Sequence, residues 1–248
     1  MVFNKYLTVN SKGHLCFEGC DTTKLAEKYG TPLYVMSETT IRDNCRMFTK
    51  AFDGYSGGGM PLFASKSFMC LEMCRIAAQE GLGLDVVSGG ELFTAIKAGF
   101  PMERVYFHGN NKTEQELKMA LLNDVHCIVL DNIEELNMLS ELASDEGKIA
   151  KVSFRIKPGV DAHTHEFIRT GQIDSKFGFA LETGEAFDAV KTALGLNNIE
   201  IIGFHCHIGS QIFDTAPFEL AAEKMLNFIH EVNSKLGIDV KVLNLGGG

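Results

Sequence analysis

The 248-residue sequence has no apolar run long enough to span a membrane and no cluster of basic residues. Its net charge is −9, so a surface for nucleic acid or anionic membrane, which would need clustered Lys and Arg, is not expected. The first residues lack the apolar core of a signal peptide, and the seven cysteines include no CxxC pair. These absences predict a cytoplasmic protein with free thiols and a small-molecule partner.

The sequence does contain a regular alternation of short β-rich apolar runs with stretches of helical period. The runs begin at residues 61, 82, 105, 127, 151, 201 and 240, and the first four starts are 21 to 23 residues apart. That period is typical of βα units with short connections, which form a parallel sheet. Doubly wound sheets alternate in the same way, but seven successive units favour an incomplete TIM-type (β/α)8 barrel, whose last strand we expect beyond residue 248.

The amino-terminal segment has a different pattern. Residues 1–35 contain LTVN, SKGH and HLCF, which predict short strands and a turn and therefore part of a separate β domain. Residues 36–248 are expected to form the truncated α/β barrel. The polar segment KPGVDAHTHEFIRTGQIDSKFGFAL follows the fifth barrel strand, and long loops at a barrel mouth are usually functional.

Polar residues and glycines follow the predicted strands. Active sites of TIM-type barrels lie at the carboxyl ends of the strands, so these residues are candidates for a site: Lys66, Asp85, Arg155, His205, His207, Ser210, Gly246, Gly247 and Gly248. Three successive glycines leave backbone N–H groups open to a phosphate, which predicts a phosphorylated cofactor. A desolvated lysine beside it can attack an aldehyde, and this chemistry points to pyridoxal 5′-phosphate.

His205 and His207 are two residues apart on a predicted strand, so their side chains are expected on the same face. A ring in that place can stack on a flat cofactor, and a pair of imidazoles can also bind a metal ion. The residues alone leave both alternatives open.

Six segments in order resemble the fold-type III pyridoxal-phosphate-dependent decarboxylases, and the resemblance spans nearly the whole chain: FASKSF, LGLDVVSGGEL, FHGNNKTEQEL, RIKPGVDAHTHEFIRTGQIDSKFGFAL, GFHCHIGSQI and NLGGG. Within that family, HIGSQ and TGQIDSKFG are more similar to the diaminopimelate branch than to the ornithine or arginine branches. The resemblance implies a barrel that binds pyridoxal 5′-phosphate and decarboxylates an amino acid.

The resemblance also implies residue roles. Lys66 would bind the cofactor as a Schiff base, and His207 would stack on its ring; these two are the expected catalytic residues. The remaining expected cofactor-binding residues are Asp85, Arg155, Ser210, Gly246, Gly247 and Gly248. No metal ligands are expected, and His163, His165 and Lys176 are interpreted as polar loop residues.

The implied reaction is decarboxylation of meso-2,6-diaminopimelate to L-lysine, a step of lysine biosynthesis. The resemblance further implies a longer native protein that forms a homodimer with shared active sites. Another basic amino acid or carboxynorspermidine is an alternative substrate. A metal-dependent barrel hydrolase and a non-catalytic relative that only binds pyridoxal phosphate are the alternatives of a different class.

Overall fold

The structure of the chain is a computed structural model that describes residues 6–160 and 176–247. It divides into two compact units, Met1–Met60 and Pro61–Gly248. Among the described residues, no helix is both long enough and apolar enough to cross a membrane.

The smaller unit begins with a three-stranded antiparallel sheet in the order β1-β2-β3, formed by β1 (Leu7–Val9), β2 (Leu15–Phe17) and β3 (Cys20–Asp21). Two helices follow, α1 (Thr22–Tyr29) and α2 (Glu38–Lys50). The expected strands are confirmed, but α1 was not anticipated in this segment. It begins where it does because the Asp21 side chain accepts a hydrogen bond from the Thr23 backbone N–H and caps the first turn.

The larger unit alternates strands and helices along its whole length. In chain order it contains β4 (Leu62–Ala64), α3 (Leu71–Gln79), β5 (Gly83–Val86), α4 (Gly89–Ala98), β6 (Val105–Phe107), α5 (Glu114–Leu122), β7 (Cys127–Leu130), α6 (Ile133–Asp145), β8 (Ala150–Lys157), β9 (Phe179–Ala180), α7 (Glu185–Ala193), β10 (Ile199–Cys206), α8 (Ala216–Leu236) and β11 (Val242–Asn244). All seven predicted barrel strands are present. The two-residue strand β9 was not predicted, because so short a segment carries no periodic signal.

Seven of these strands form one parallel sheet within the described residues, in the order β4-β5-β6-β7-β8-β10-β11, and β9 pairs with the end of β8. Each strand lies beside the next one along the chain, as in a barrel, rather than reversing direction from a central strand. The expected incomplete TIM-type barrel is therefore confirmed.

Three of the helices that follow strands begin at residues whose side chains cap the first turn. Ser88 caps α4, Thr113 forms a capping box with Glu116 at the start of α5, and Asn132 caps α6. The inner strands β5 to β8 are largely buried, as parallel strands covered by helices are, and the fully buried side chains of the sheet include Leu84, Phe107, Leu130, Phe154 and Phe204. This rigid apolar sheet holds the polar residues at its carboxyl edge.

Candidate active site

Lys66 lies in a short 3-10 turn, Ser65–Ser67, that directly follows β4. The parallel register pairs Ala64 at the end of β4 with Asp85 on β5. The Lys66 side chain is exposed, and its positive charge lowers the pKa of Asp85, opposing the effect of burial. The two residues singled out from separate strands therefore belong to one site.

Asp85 is a partly buried carboxylate with an unusual ionisation. Burial raises its pKa to about 7, although the charges of Lys66 and Arg155 act in the opposite direction. Its Oδ1 lies 3.4 Å from Nε2 of His108, which directly follows β6. Near neutral pH this carboxyl group can therefore gain or lose a proton readily.

Arg155 lies on β8, opposite His205 of β10 in the parallel register. Its Nε is 4.0 Å from Oδ1 of Asp131, the residue after β7, and its Cζ lies 4.4 Å from the centre of the Phe177 ring. Burial lowers the pKa of Arg155, whereas the carboxylates of Asp131 and Asp85 raise it. The guanidinium is thus shared electrostatically between two carboxylates.

Three histidines lie near the guanidinium of Arg155. The rings of His108 and His205 meet edge to face with centroids 4.5 Å apart, and both residues are 4% exposed. Burial lowers the pKa of His108 to about 3 and that of His205 well below its usual range. Burial, together with the charges of Arg155 and Lys66, also lowers the pKa of the half-buried His207. All three rings are therefore predominantly neutral at pH 7.

Gly246 is the point where the end of β11 meets the end of β10. Its φ is +73°, and a Cβ atom on it would lie 2.7 Å from the Cys206 carbonyl oxygen and 2.9 Å from Nδ1 of His207. Only glycine fits here without displacing backbone atoms. The glycine segment is consequently held against His207, with Gly246 N–H donating to the Asn244 side chain at 2.8 Å.

Several buried polar atoms of the larger unit lack a hydrogen-bond partner among the described residues: Ser65 Oγ, Asp85 Oδ1, His108 Nε2, Asp131 Oδ1 and His205 Nδ1. All five atoms belong to residues in the carboxyl-terminal parts of β4 to β10 or just beyond them. Buried polar atoms are normally paired, so such a concentration is typical of a site built for a polar ligand. A phosphorylated aromatic aldehyde fits such a site, because this edge of the sheet carries a lysine, neutral imidazole rings, cationic and anionic side chains and a glycine turn.

The structure brings together Lys66, Asp85, Arg155, His205 and His207, all singled out from the sequence. Ser210 is exposed in the loop after β10, and Lys176 lies 5.1 Å from the Phe177 ring centre. Gly248, His163 and His165 lie outside the described residues. His108 and Asp131 were not predicted as site residues, although they lie near the ends of the predicted strand segments VYFHG and CIVLD.

No group of three or more His, Cys, Asp or Glu side chains within residues 6–160 and 176–247 has an arrangement suited to a metal ion. Nδ1 of His205 has no hydrogen-bond partner among the described residues, and the His205 ring packs against the ring of His108. The metal-binding alternative for the histidine pair gains no support from these residues.

Comparison with known families matches residues 38–248 to the pyridoxal-dependent decarboxylases, specifically to their pyridoxal-binding domain. The chain belongs to this family. Its members bind pyridoxal phosphate, so the predicted cofactor is confirmed. The family match covers every residue of the site described above.

Within this family, the chain is similar to proteins named diaminopimelate decarboxylase. The chain is 49% identical over 248 residues to the diaminopimelate decarboxylase of Bacillus methanolicus, covering 100% of this chain and 57% of that protein. It is 51% identical over 239 residues to the diaminopimelate decarboxylase of Bacillus subtilis, covering 96% of this chain and 54% of that protein. The chain thus spans about half the length of the curated relatives it matches.

Solved structures agree with the family assignment. A diaminopimelate decarboxylase from M. jannaschii in complex with L-lysine superimposes with a TM-score of 0.89 at 38% identity, over 100% of this chain and 58% of that one. A Helicobacter pylori diaminopimelate decarboxylase, also with L-lysine, gives a TM-score of 0.81 at 30% identity, over 92% and 57%.

Proposed function

We propose that the full-length protein decarboxylates meso-2,6-diaminopimelate to L-lysine with pyridoxal 5′-phosphate as its cofactor. The observation on which the proposal rests is the convergence of a lysine, three neutral imidazoles and unpaired buried polar atoms at one edge of the family's pyridoxal-binding barrel. The names of the relatives and the L-lysine complexes of two similar structures support the substrate.

Lys66 is the residue proposed to hold the cofactor covalently. Its primary amine is exposed at the end of β4, where an aldehyde can reach it. The unprotonated form of that amine is the nucleophile that would attack the aldehyde carbon. The same amine could also give up or accept a proton at Lys66 Nζ.

His207 and the glycine segment are proposed to bind the ring and the phosphate. His207 is half-buried and predominantly neutral, so its ring can stack on a flat aromatic group without placing a second positive charge there. Gly246 turns the backbone beside His207 and donates its own N–H to the Asn244 side chain, so the Gly247 N–H and the Ser210 hydroxyl are the donors proposed for the phosphate. The same role for Gly248 stays a prediction, because that residue is not described.

Asp85 and Arg155 are proposed to set the charge of the pocket. When bound, pyridoxal phosphate supplies an electron sink for the charge left on the α-carbon as carbon dioxide departs. The chain itself contributes the carboxyl groups of Asp85 and Asp131, both of which interact electrostatically with the Arg155 guanidinium. We propose that these three charges orient the charged groups of the cofactor and substrate.

A visible absorption spectrum of the full-length protein, before and after borohydride reduction, tests the cofactor linkage. Wild type is expected to show an absorption band that reduction bleaches, with the cofactor then fixed to the Lys66 peptide. Lys66→Ala should lose both the band and more than 99% of turnover, roughly a 100-fold or greater loss. Lys148→Ala, which removes a lysine bound to Asp124 and Leu121 instead, is the matched control and should keep both.

Substrate choice is tested by carbon dioxide release from diaminopimelate, ornithine, arginine, lysine and carboxynorspermidine. Formation of L-lysine from diaminopimelate, at a kcat/KM well above that for the others, is the expected result. A higher kcat/KM for any other amine would replace diaminopimelate as the substrate. A coloured, reducible protein that releases no carbon dioxide would instead indicate a non-catalytic relative.

We further propose a cytoplasmic homodimer. All seven cysteines lie within the described ranges and none forms a disulfide, which is typical of proteins in a reducing compartment. The homodimer follows from the family resemblance, with each site completed across the interface. Light scattering of the full-length protein should give twice the subunit mass, and a monomer with full activity would contradict shared sites.

The division of the chain into residues 1–35 and 36–248 is likewise kept as a proposal. The family match begins at residue 38, close to that boundary, whereas the compact units divide after Met60. Limited proteolysis of the full-length protein, with mass spectrometry of the products, distinguishes cleavage near residue 35 from cleavage near residue 60.

A further inference from the structure

We propose that Lys112, in a buried ion pair with Glu135, is a positioning residue that holds His108 and Asp131 in place at the active site. The proposal rests on the function proposed above and adds two residues to it. Neither residue lies at the end of a strand and neither contributes an unpaired buried polar atom, so neither is expected to touch substrate or cofactor.

Lys112 uses all of its hydrogen-bonding capacity inside the protein. Its Nζ donates to the Gly109 carbonyl at 2.8 Å, to the Val129 carbonyl at 2.7 Å and to Glu135 Oε1 at 2.5 Å. An ammonium group has three N–H donors, so each has one partner. The Lys112 and Glu135 side chains are 1% and 5% exposed, which makes this a desolvated ion pair rather than a surface one.

The partners of Lys112 belong to the chain segments that carry the site. Gly109 directly follows His108, and its φ of +124° turns its backbone in a way that other residues rarely adopt. The His108 backbone N–H in turn donates to the Val86 carbonyl at 2.8 Å. The hydrogen bond from Lys112 to Gly109 and the hydrogen bond from His108 to β5 therefore fix the backbone before and after the His108 side chain.

Glu135 extends the same contact to Asp131. Its Oε2 accepts a hydrogen bond from the Asp131 backbone N–H at 3.2 Å, while Lys112 holds Val129 two residues earlier. The ion pair thus ties the end of β7 to the loop after β6. A change of about 1 Å at these backbones would move His108 relative to Asp85 and Asp131 relative to Arg155, and displacements of that size can lower turnover about 100-fold.

Charge supports the geometric argument. After burial, the positive charge of Lys112 is the strongest influence that lowers the pKa of His108, ahead of Arg155, Lys66 and His207. The Lys112 charge also favours the ionised form of Asp131, whose pKa burial raises. The Lys112 charge therefore favours the neutral form of His108 and the ionised form of Asp131, in addition to the hydrogen bonds that fix their backbones.

The test compares Lys112→Met and Glu135→Gln with Lys148→Met in the full-length protein loaded with pyridoxal phosphate. Lys148 is the matched control because it also joins a carbonyl and a carboxylate, at Leu121 and Asp124, but lies before β8. Glu135→Gln keeps the side-chain shape, so it remains informative if Lys112→Met does not fold. An amide can still accept from Lys112 but presents N–H2 to the Asp131 N–H.

For Lys112→Met and Glu135→Gln we expect kcat to fall about tenfold or more with KM changed less than about twofold, since substrate contacts are retained. We also expect the imidazole NMR signal of His108, assigned by its loss in His108→Gln, to shift or broaden. Lys148→Met should change neither quantity. If the His108 signal and kcat in both variants match those of Lys148→Met, the pair is only structural and the proposal is wrong.

The NMR comparison also separates this proposal from the proposed function, because it requires no substrate and is repeated on protein without cofactor. A wild type that decarboxylates none of the amines would refute the proposed function. The displaced His108 signal in Lys112→Met and Glu135→Gln would then still support the positioning role, and an unmoved signal would refute it.

Discussion

Asp21 in the smaller unit and Asp85 in the larger unit are both carboxylates next to a histidine, yet their surroundings differ in every other respect. Asp21 Oδ1 accepts from the Thr23 backbone N–H and hydroxyl, and Oδ2 accepts from Asn10 and lies 2.9 Å from His14 Nδ1. Those hydrogen bonds lower the pKa of Asp21 below its ordinary range. Asp85 Oδ1 has no hydrogen-bond partner among the described residues, and burial raises its pKa to about 7.

The difference separates a structural carboxylate from a functional one. Asp21 has its hydrogen bonds within the fold and stabilises the start of α1. Asp85 is held in an environment that disfavours its charge and leaves one carboxylate oxygen without a hydrogen bond, and both features lower the stability of the folded state. Residues of the second kind are the ones whose loss should affect activity more than stability.

The largest effect is expected for Asp85→Asn, which removes the charge but keeps the shape. We expect kcat/KM of the full-length enzyme to fall about 100-fold, because a preorganised charge of the pocket is lost. The midpoint of thermal unfolding at pH 8 should stay the same or rise, because a desolvated carboxylate is replaced by a neutral amide. A loss of stability with activity retained would show that Asp85 is a structural carboxylate like Asp21 and would contradict the distinction between the two.

An intermediate effect is expected for Gly246→Ala. The new methyl group would meet the Cys206 carbonyl at 2.7 Å on a backbone with φ of +73°, so the glycine segment must shift away from His207. We expect the dissociation constant for pyridoxal phosphate, measured by absorbance titration, to rise about tenfold or more. Gly30→Ala, at a similar φ of +81° but with no atom within 4 Å, is the control and should leave cofactor affinity unchanged.

The two carboxylates should also respond to pH in opposite directions, by smaller amounts. The raised pKa of Asp85 means that the folded state binds its proton more tightly, so this contribution to stability is present below pH 3.8 and is lost as pH rises through about 7. Asp21 stabilises above its ordinary pKa of 3.8 and loses that contribution at lower pH. In cofactor-free protein, the unfolding midpoint of Asp85→Asn relative to wild type should therefore increase between pH 4 and pH 8.

The smallest effect on activity is expected for Asp21→Asn. The amide keeps one acceptor oxygen but loses the ionised partner of His14, so the midpoint of thermal unfolding at pH 7 should fall by a few degrees. Its kcat/KM should stay within about twofold of wild type. The deficit in stability should disappear as the pH falls well below 3.8, where wild-type Asp21 gains its proton.

The amino-acid sequence alone was sufficient for the barrel strands and for most of the site. Apolar runs of β-branched and aromatic residues at 21 to 23 residue spacing predicted β4 to β7, because burial on both faces of a parallel sheet leaves a strong local signal. Lys66, Asp85, Arg155 and His207 followed from their places at strand ends and from the family resemblance. Helix α1 was missed because its start depends on a capping hydrogen bond that the Asp21 side chain accepts from the Thr23 backbone N–H.

Only the tertiary structure decided which polar residues are partners. His108 meets Asp85, and Asp131 meets Arg155, across strand register and side-chain direction, which no local pattern encodes. The Lys112–Glu135 pair lies 23 residues apart in sequence and exists because the loop after β6 and the start of α6 converge at one edge of the sheet. Whether both oxygens of a carboxylate accept hydrogen bonds, as those of Asp21 do, or one is left without a hydrogen bond, as Asp85 Oδ1 is, depends on burial and on neighbours that folding alone assembles.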